Sequence, residues 1–166
     1  MLKNNLKKLL IYFFIVILIF ILDRLSKLYI LNLAETNNLV NIYLNSFLNL
    51  HLIWNKGIAF GLLSFNQSSI YNFITILIII ITFIILIIII RSNNYKVYFF
   101  IFILSGSIGN LFDRIYYSAV PDFIDFHFND FHWFIFNVAD IFISLGVICL
   151  IFVEIFFNKK VNNEIK

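Results

Sequence analysis

Charge is scarce in this chain. Asp, Glu, Lys and Arg make up 13% of its 166 residues, where a soluble domain carries about a quarter. Hydrophobic residues make up 62%, and mean hydropathy is +0.97. A chain so apolar is not disordered, and its single cysteine excludes a disulfide scaffold. The three histidines form no His-Glu-x-x-His, which argues against a zinc metalloprotease. His127 and His132 are five apart and share no helical face, so with His51 they read as interfacial loop residues. No metal and no organic cofactor is indicated. The five glycines build no phosphate loop, and Gly106-Ser107-Ile108-Gly109 lacks the spacing of Gly-x-Ser-x-Gly. A net charge of +3 is too small to argue for nucleic acid. A membrane protein remains. Four helices of about 20 residues would use about 80, leaving room for loops but not for a large soluble domain.

Uncharged runs mark the expected spans, at about 9–31, 70–90, 97–115 and 134–157. The first lies behind Lys3, Lys7 and Lys8 and has the length of a signal-peptide core. No small-x-small cleavage site follows it directly, so it reads as an uncleaved helix. Four spans put both termini on one side, with Lys3, Lys7, Lys8, Arg91, Lys96, Lys159, Lys160 and Lys166. Only Arg24, Lys27, Lys56 and Arg114 fall on the other. The positive-inside rule makes the terminal side cytoplasmic. The outer loops are then about 32–69 and 115–133. Alternation in Val40–Asn45 and part of Asn49–Leu52 predicts two short strands on the membrane surface. One domain is the simplest reading.

Ionisable groups inside a span are costly, and each suggests a function. Asp23 and Lys27 stand at i and i+4, and Asn110 and Asp113 at i and i+3. Asn137, Asp140 and Ser144 form one stripe. Three of four helices thus bring polar groups to one depth, as in a pocket opening outward. Plain readings exist: Asp23–Lys27 as an interfacial ion pair, Asn110 as an interhelical hydrogen bonder, Asp113–Arg114 as a boundary pair. Asp140 is harder to dismiss, since no cation lies within a turn of it on its own helix. Cys149, deep in the last span, reads as packing. Asp122 follows Pro121 in a stretch leading back to the membrane. If Asp122 and Asp140 meet in a dry site, they cannot both ionise comfortably, and the pair can work as acid and base on one water.

These residues fall into five motifs that resemble those of the signal peptidase II family, the lipoprotein signal peptidases, along nearly the whole chain. They are Asp23-Arg24-Leu25-Ser26-Lys27, Asn55-Lys56-Gly57-Ile58-Ala59-Phe60-Gly61, Ser105 through Arg114, Val120-Pro121-Asp122-Phe123, and Phe136-Asn137-Val138-Ala139-Asp140. The resemblance implies an all-α polytopic membrane protein with four transmembrane helices and a small extracytoplasmic β-rich cradle. It implies an aspartic endopeptidase in the bacterial cytoplasmic membrane, with its site on the outer side. Its substrates would be prolipoproteins carrying a diacylglyceryl-cysteine lipobox, cut before that cysteine, and its surroundings membrane lipid. By resemblance, Asp122 and Asp140 are the catalytic pair. Asn55, Gly57, Asn110, Arg114 and Asn137 shape the site, with Asp23 and Lys27 near it and Asp113 a structural acid. Ser105 and Ser107 stand for a glycine and an alanine, Ile58 for a small residue, and Pro121 for a valine. The last two bear on substrate preference. Phe60, Leu62, Leu63 and Phe65 are expected to fence the entrance. A small transporter or channel and a non-catalytic assembly subunit are the alternatives.

Overall fold

The computed structural model describes residues 2–37, 40–57, 68–129 and 131–163. Among the described residues, four helices and four strands follow in the order α1 (Leu2–Asn37), β1 (Asn41–Asn45), β2 (Leu48–Asn55), α2 (Ser68–Arg91), α3 (Val97–Tyr117), β3 (Val120–Phe128), β4 (Phe131–Phe136) and α4 (Val138–Asn163). All four helices are long and apolar enough to cross a membrane. The fold is the expected one, a helical membrane protein with a small antiparallel sheet.

Helix α1 runs past both ends of its expected span. Hydropathy marks the part that lies in lipid, whereas a helix can run on into polar residues where no Gly or Pro interrupts it. No glycine precedes Gly57 and no proline precedes Pro121. Helix α4 departs the other way, starting at Val138 rather than near 134. The aromatic run Phe131–Phe136 is strand β4, paired with β3. Aromatics favour strands, and an apolar run this short carries no period that separates strand from helix. Asn137 therefore precedes α4 instead of lying on its face.

Helix α3 is the centre of the bundle and packs against the other three. Its Val97, Ile101, Ile103 and Leu104 join Ile85 and Ile89 of α2 in one core, flanked by Tyr12, Ile15 and Val16 of α1 and by Ile143 and Leu150 of α4. Helix α2, by contrast, exposes Phe73, Ile76, Ile80 and Phe83, a surface that suits lipid. Close approach of α3 to α4 depends on Gly106, where an added Cβ would lie 2.4 Å from the Ala139 carbonyl oxygen.

The sheet lies where α1 and α3 end and α2 and α4 begin. Its order is β1-β2-β3-β4, all neighbours antiparallel. Ile30, Val40 and Phe123, with Leu33, Leu50, Ile124 and Val138, seat it on α1. Ser118, at φ 55°, ends α3 in the left-handed region and turns the chain into β3. That sharp exit delivers Asp122 to the bundle end. Gly106→Val should lower stability by about 1–3 kcal/mol, the usual cost of overpacking. Thermal unfolding in detergent measures this; an unchanged Tm would show that α3 and α4 do not meet at this point.

Candidate active site

The fourth motif places Asp122 in β3, wholly buried. Its Oδ2 accepts a hydrogen bond from Asn55 Nδ2 at 2.8 Å, and its Oδ1 accepts from Asn137 Nδ2 at 2.5 Å. Asn55 ends β2, next to β3, so strand pairing brings these two together. The fifth motif supplies the second carboxylate by helix capping. Asn137 Oδ1 accepts from the Asp140 backbone N–H at 3.1 Å, and Asp140 Oδ2 accepts from the Asn137 N–H at 3.2 Å. This is the reciprocal bonding of a capping box, with asparagine as the cap and aspartate three residues on. One side chain, Asn137, thus holds both aspartates.

Asp140 Oδ1 accepts from Asn110 Nδ2 at 2.8 Å. The orientation of that amide is set from behind, since Lys27 Nζ donates to Asn110 Oδ1 at 3.0 Å. Lys27 is itself fully buried and pairs with Asp23 at 2.8 Å and Asp113 at 2.7 Å. Asp23 Oδ1 accepts from the Ala139 N–H at 3.1 Å, joining α1 to the first turn of α4. Gly109 leaves the room for this, because an added Cβ would lie 2.7 Å from Asp23 Oδ2. On the other side, Gly57 N–H donates to Asn55 Oδ1 at 2.7 Å, and Arg114 donates to the Gly57 carbonyl. The Arg114 guanidinium also lies over the Tyr71 ring at 5.5 Å.

Nine of the residues singled out in the sequence therefore form one connected network: Asp23, Lys27, Asn55, Gly57, Asn110, Arg114, Asp122, Asn137 and Asp140. Asp23–Lys27 is no simple interfacial pair, because Asp113 makes it a triad. Arg24 was read only as an outer charge. It bonds Asp23 and Asp113, each at 2.8 Å, and lies over Phe112 at 4.8 Å. Its signal was available, as another charged residue in the first motif of a membrane helix. Ile58 through Phe65, with the expected entrance fence, lie outside the described residues.

Burial, then the nearby Asp140 charge, push the Asp122 carboxyl up from the ordinary 3.8 to about 7, against the Asn55 and Asn137 hydrogen bonds. A raised value means that the folded state holds the proton more tightly. The stability it contributes is full below about pH 4 and is lost as pH rises through about 7. Asp122→Asn, which cannot ionise, should therefore gain in Tm relative to the wild type across that interval; a constant difference would contradict the shift. Lys27→Met should cost about 3–5 kcal/mol, since it leaves buried carboxylates unpaired. Thermal unfolding checks this as well, and a loss under about 1 kcal/mol would mean that the triad is solvated.

The family model for signal peptidase (SPase) II matches residues 15–157. A lipoprotein signal peptidase of Pelagibacter ubique is 57% identical over 162 residues, covering 98% of each chain. One from Francisella tularensis subsp. novicida is 40% identical, covering 95% of this chain and 99% of its own. Among solved structures, a bacterial membrane enzyme determined in meso at 1.9 Å superposes with a TM-score of 0.73 at 27% identity, over 88% of this chain and 93% of that one.

Proposed function

The chain belongs to the signal peptidase II family, and on that footing we propose that Asp122 and Asp140 are its catalytic dyad. The protein is a membrane protease that processes prolipoproteins. The observation that carries the dyad is the Asn137 side chain, which bonds Asp122 with its nitrogen and the Asp140 N–H with its oxygen. Two carboxylates held this way, with one raised to about 7, suit a shared proton near neutral pH.

In the reaction, the ionised member takes a proton from a water held between the two. The water oxygen bonds to the scissile carbonyl carbon, and that carbonyl becomes an oxyanion. The protonated member gives its proton to the leaving nitrogen as the C–N bond breaks. The dyad titrates as a pair, so the two steps belong to it jointly. Arg114 Nε and Nη1 are buried without partners among the described residues, donors suited to a developing oxyanion. Among the described residues, no such row of buried charge follows the opposite ends of the helices, as a transport path would need; the core there is apolar.

The termini face the cytoplasm and the dyad faces outward in this reading. Eight Lys and Arg stand on the terminal side against four on the other, which is the bias that supports this orientation. The scissile bond of a substrate helix would then meet the dyad at the outer leaflet. A cavity of about 640 Å³ lies between α1, β2 and the end of α3, lined by apolar Leu28, Leu31, Ala34, Leu52, Trp54 and Tyr117 and by polar Asn32 and Glu35.

Asp122→Asn and Asp140→Asn should each slow cleavage of a diacylglyceryl-modified prolipoprotein by at least ~10²–10⁴-fold, the worth of a general acid or base. Purified protein in lipid, with the unlipidated precursor beside it, supplies the assay. Normal turnover in either variant would remove that residue from the dyad. Equal cutting of the unlipidated precursor would remove the lipid from recognition.

A further inference from the structure

A second cluster of ligating side chains lies on the same hairpin, away from the dyad. Asp125 and His127 are two apart on β3, so both point to one face. His132 of β4 stands directly opposite His127. The five-residue spacing that rules out a shared helical face is the spacing of two residues across a tight hairpin. Ligand atoms of Asp125, His127 and His132 all lie within 4.8 Å of one another.

The side chains are organised rather than merely close. His132 Nδ1 donates to both oxygens of Asp125, at 3.0 and 2.9 Å. The His127 ring stacks on His132 at 5.2 Å with an interplanar angle of 25°. His127 is 8% exposed and Asp125 4%. Yet His127 Nδ1 has no hydrogen-bond partner among the described residues. Asn49, the cross-strand partner of Asp125 on β2, likewise has a buried and unpartnered Oδ1. Buried polar atoms left alone are uncommon and call for a partner. Here two of them flank a carboxylate and a second imidazole on one sheet face.

We infer that Asp125, His127 and His132 bind a divalent cation of the zinc class on the β3–β4 hairpin, with Asn49 beside it. Imidazole and carboxylate donors select zinc and its first-row neighbours over calcium or magnesium. A tetrahedral zinc with bonds of ~2.1 Å needs donors ~3.4 Å apart. His132 Nδ1 and Asp125 are already closer than that, and His127 swings in by side-chain rotation. On binding, the proton on His132 Nδ1 passes to solvent and its lone pair goes to the cation. The charge chemistry fits, since Asp125 supplies the anion and His127 an otherwise idle nitrogen. Such a cation would tie β3, which carries Asp122, to β4, which leads into Asn137. Its role is to pin that hairpin, and no catalytic step passes through it.

The test uses full-length protein in detergent, metal-stripped and free of any affinity tag. Zn²⁺ is titrated by calorimetry, and Co²⁺ is followed by its d–d absorption. The wild type should bind one equivalent, give the intense visible bands of tetrahedral cobalt, and gain Tm with Zn²⁺. His132→Gln should weaken binding by more than the ~10–100-fold that losing an outer-shell partner costs. The His132 side chain is 57% exposed, so this variant should fold, and an unchanged metal-free Tm checks that it does. His127→Gln should act the same way. No stoichiometric binding by the wild type, or wild-type affinity in His132→Gln, would overturn the inference. Binding lost in Asp122→Asn but kept in His132→Gln would place the cation at the dyad and overturn it too.

Discussion

One carboxamide joins the two halves of the site. Asp122 arrives on a strand and Asp140 on a helix; the β3–β4 pairing brings the two elements near each other, but a side chain must link the carboxylates. Asn137 does so by serving two elements at once. Its oxygen caps α4 on the Asp140 N–H, and its nitrogen bonds Asp122. The end of β4 and the start of α4 must therefore fall at this one residue. A helix starting near 134 would place Asn137 inside the helix and leave Asp122 without that donor.

Behind this joint lies a cluster of unlike charges buried among helices. Two acids, Asp23 and Asp113, and two bases, Arg24 and Lys27, cancel in formal charge. Burying them gains little stability by itself, because desolvation offsets the attraction. What the cluster fixes is direction. Lys27 turns the Asn110 amide so that its nitrogen faces Asp140, and Asp23 holds the Ala139 N–H. Gly106 and Gly109 let three helices approach closely enough for these bonds, and side chains at either place would separate them. A dry, fixed set of donors can then hold a shared proton without reorganising during the reaction.

Much of this was legible in the sequence. The helices announce themselves by long uncharged runs, and β1 and β2 by alternation within a loop. Asp23, Lys27, Asn110 and Asp140 stand out because polar groups inside apolar helices are rare, whereas Asn55, Gly57 and Arg114 were marked only by the motif resemblance. Other features were hidden for physical reasons. Strand β4 is a run of six without a decisive period, so it merged with the helix that follows. Helix α1 runs past its apolar run because no Gly or Pro interrupts it, which hydropathy does not report. Arg24 looked like one more outer charge, since only packing reveals that α1 and α3 share it. His127 and His132 meet through a hairpin, and a spacing rule built on helices cannot see that pair. The link between Asn137 and both aspartates depends on geometry across three elements, which no local pattern encodes.

The proposed mechanism turns on a single proton shared by the two buried carboxylates. Infrared difference spectroscopy of the protein in lipid, titrated from acid to alkaline pH, reads it directly through the carbonyl stretch of a protonated carboxyl. The wild type should show a buried carboxyl band that disappears near pH 7, and Asp122→Asn should lack it. A wild type with no such band at any pH down to about 4, or a band that survives unchanged in Asp122→Asn, would contradict the shared-proton dyad.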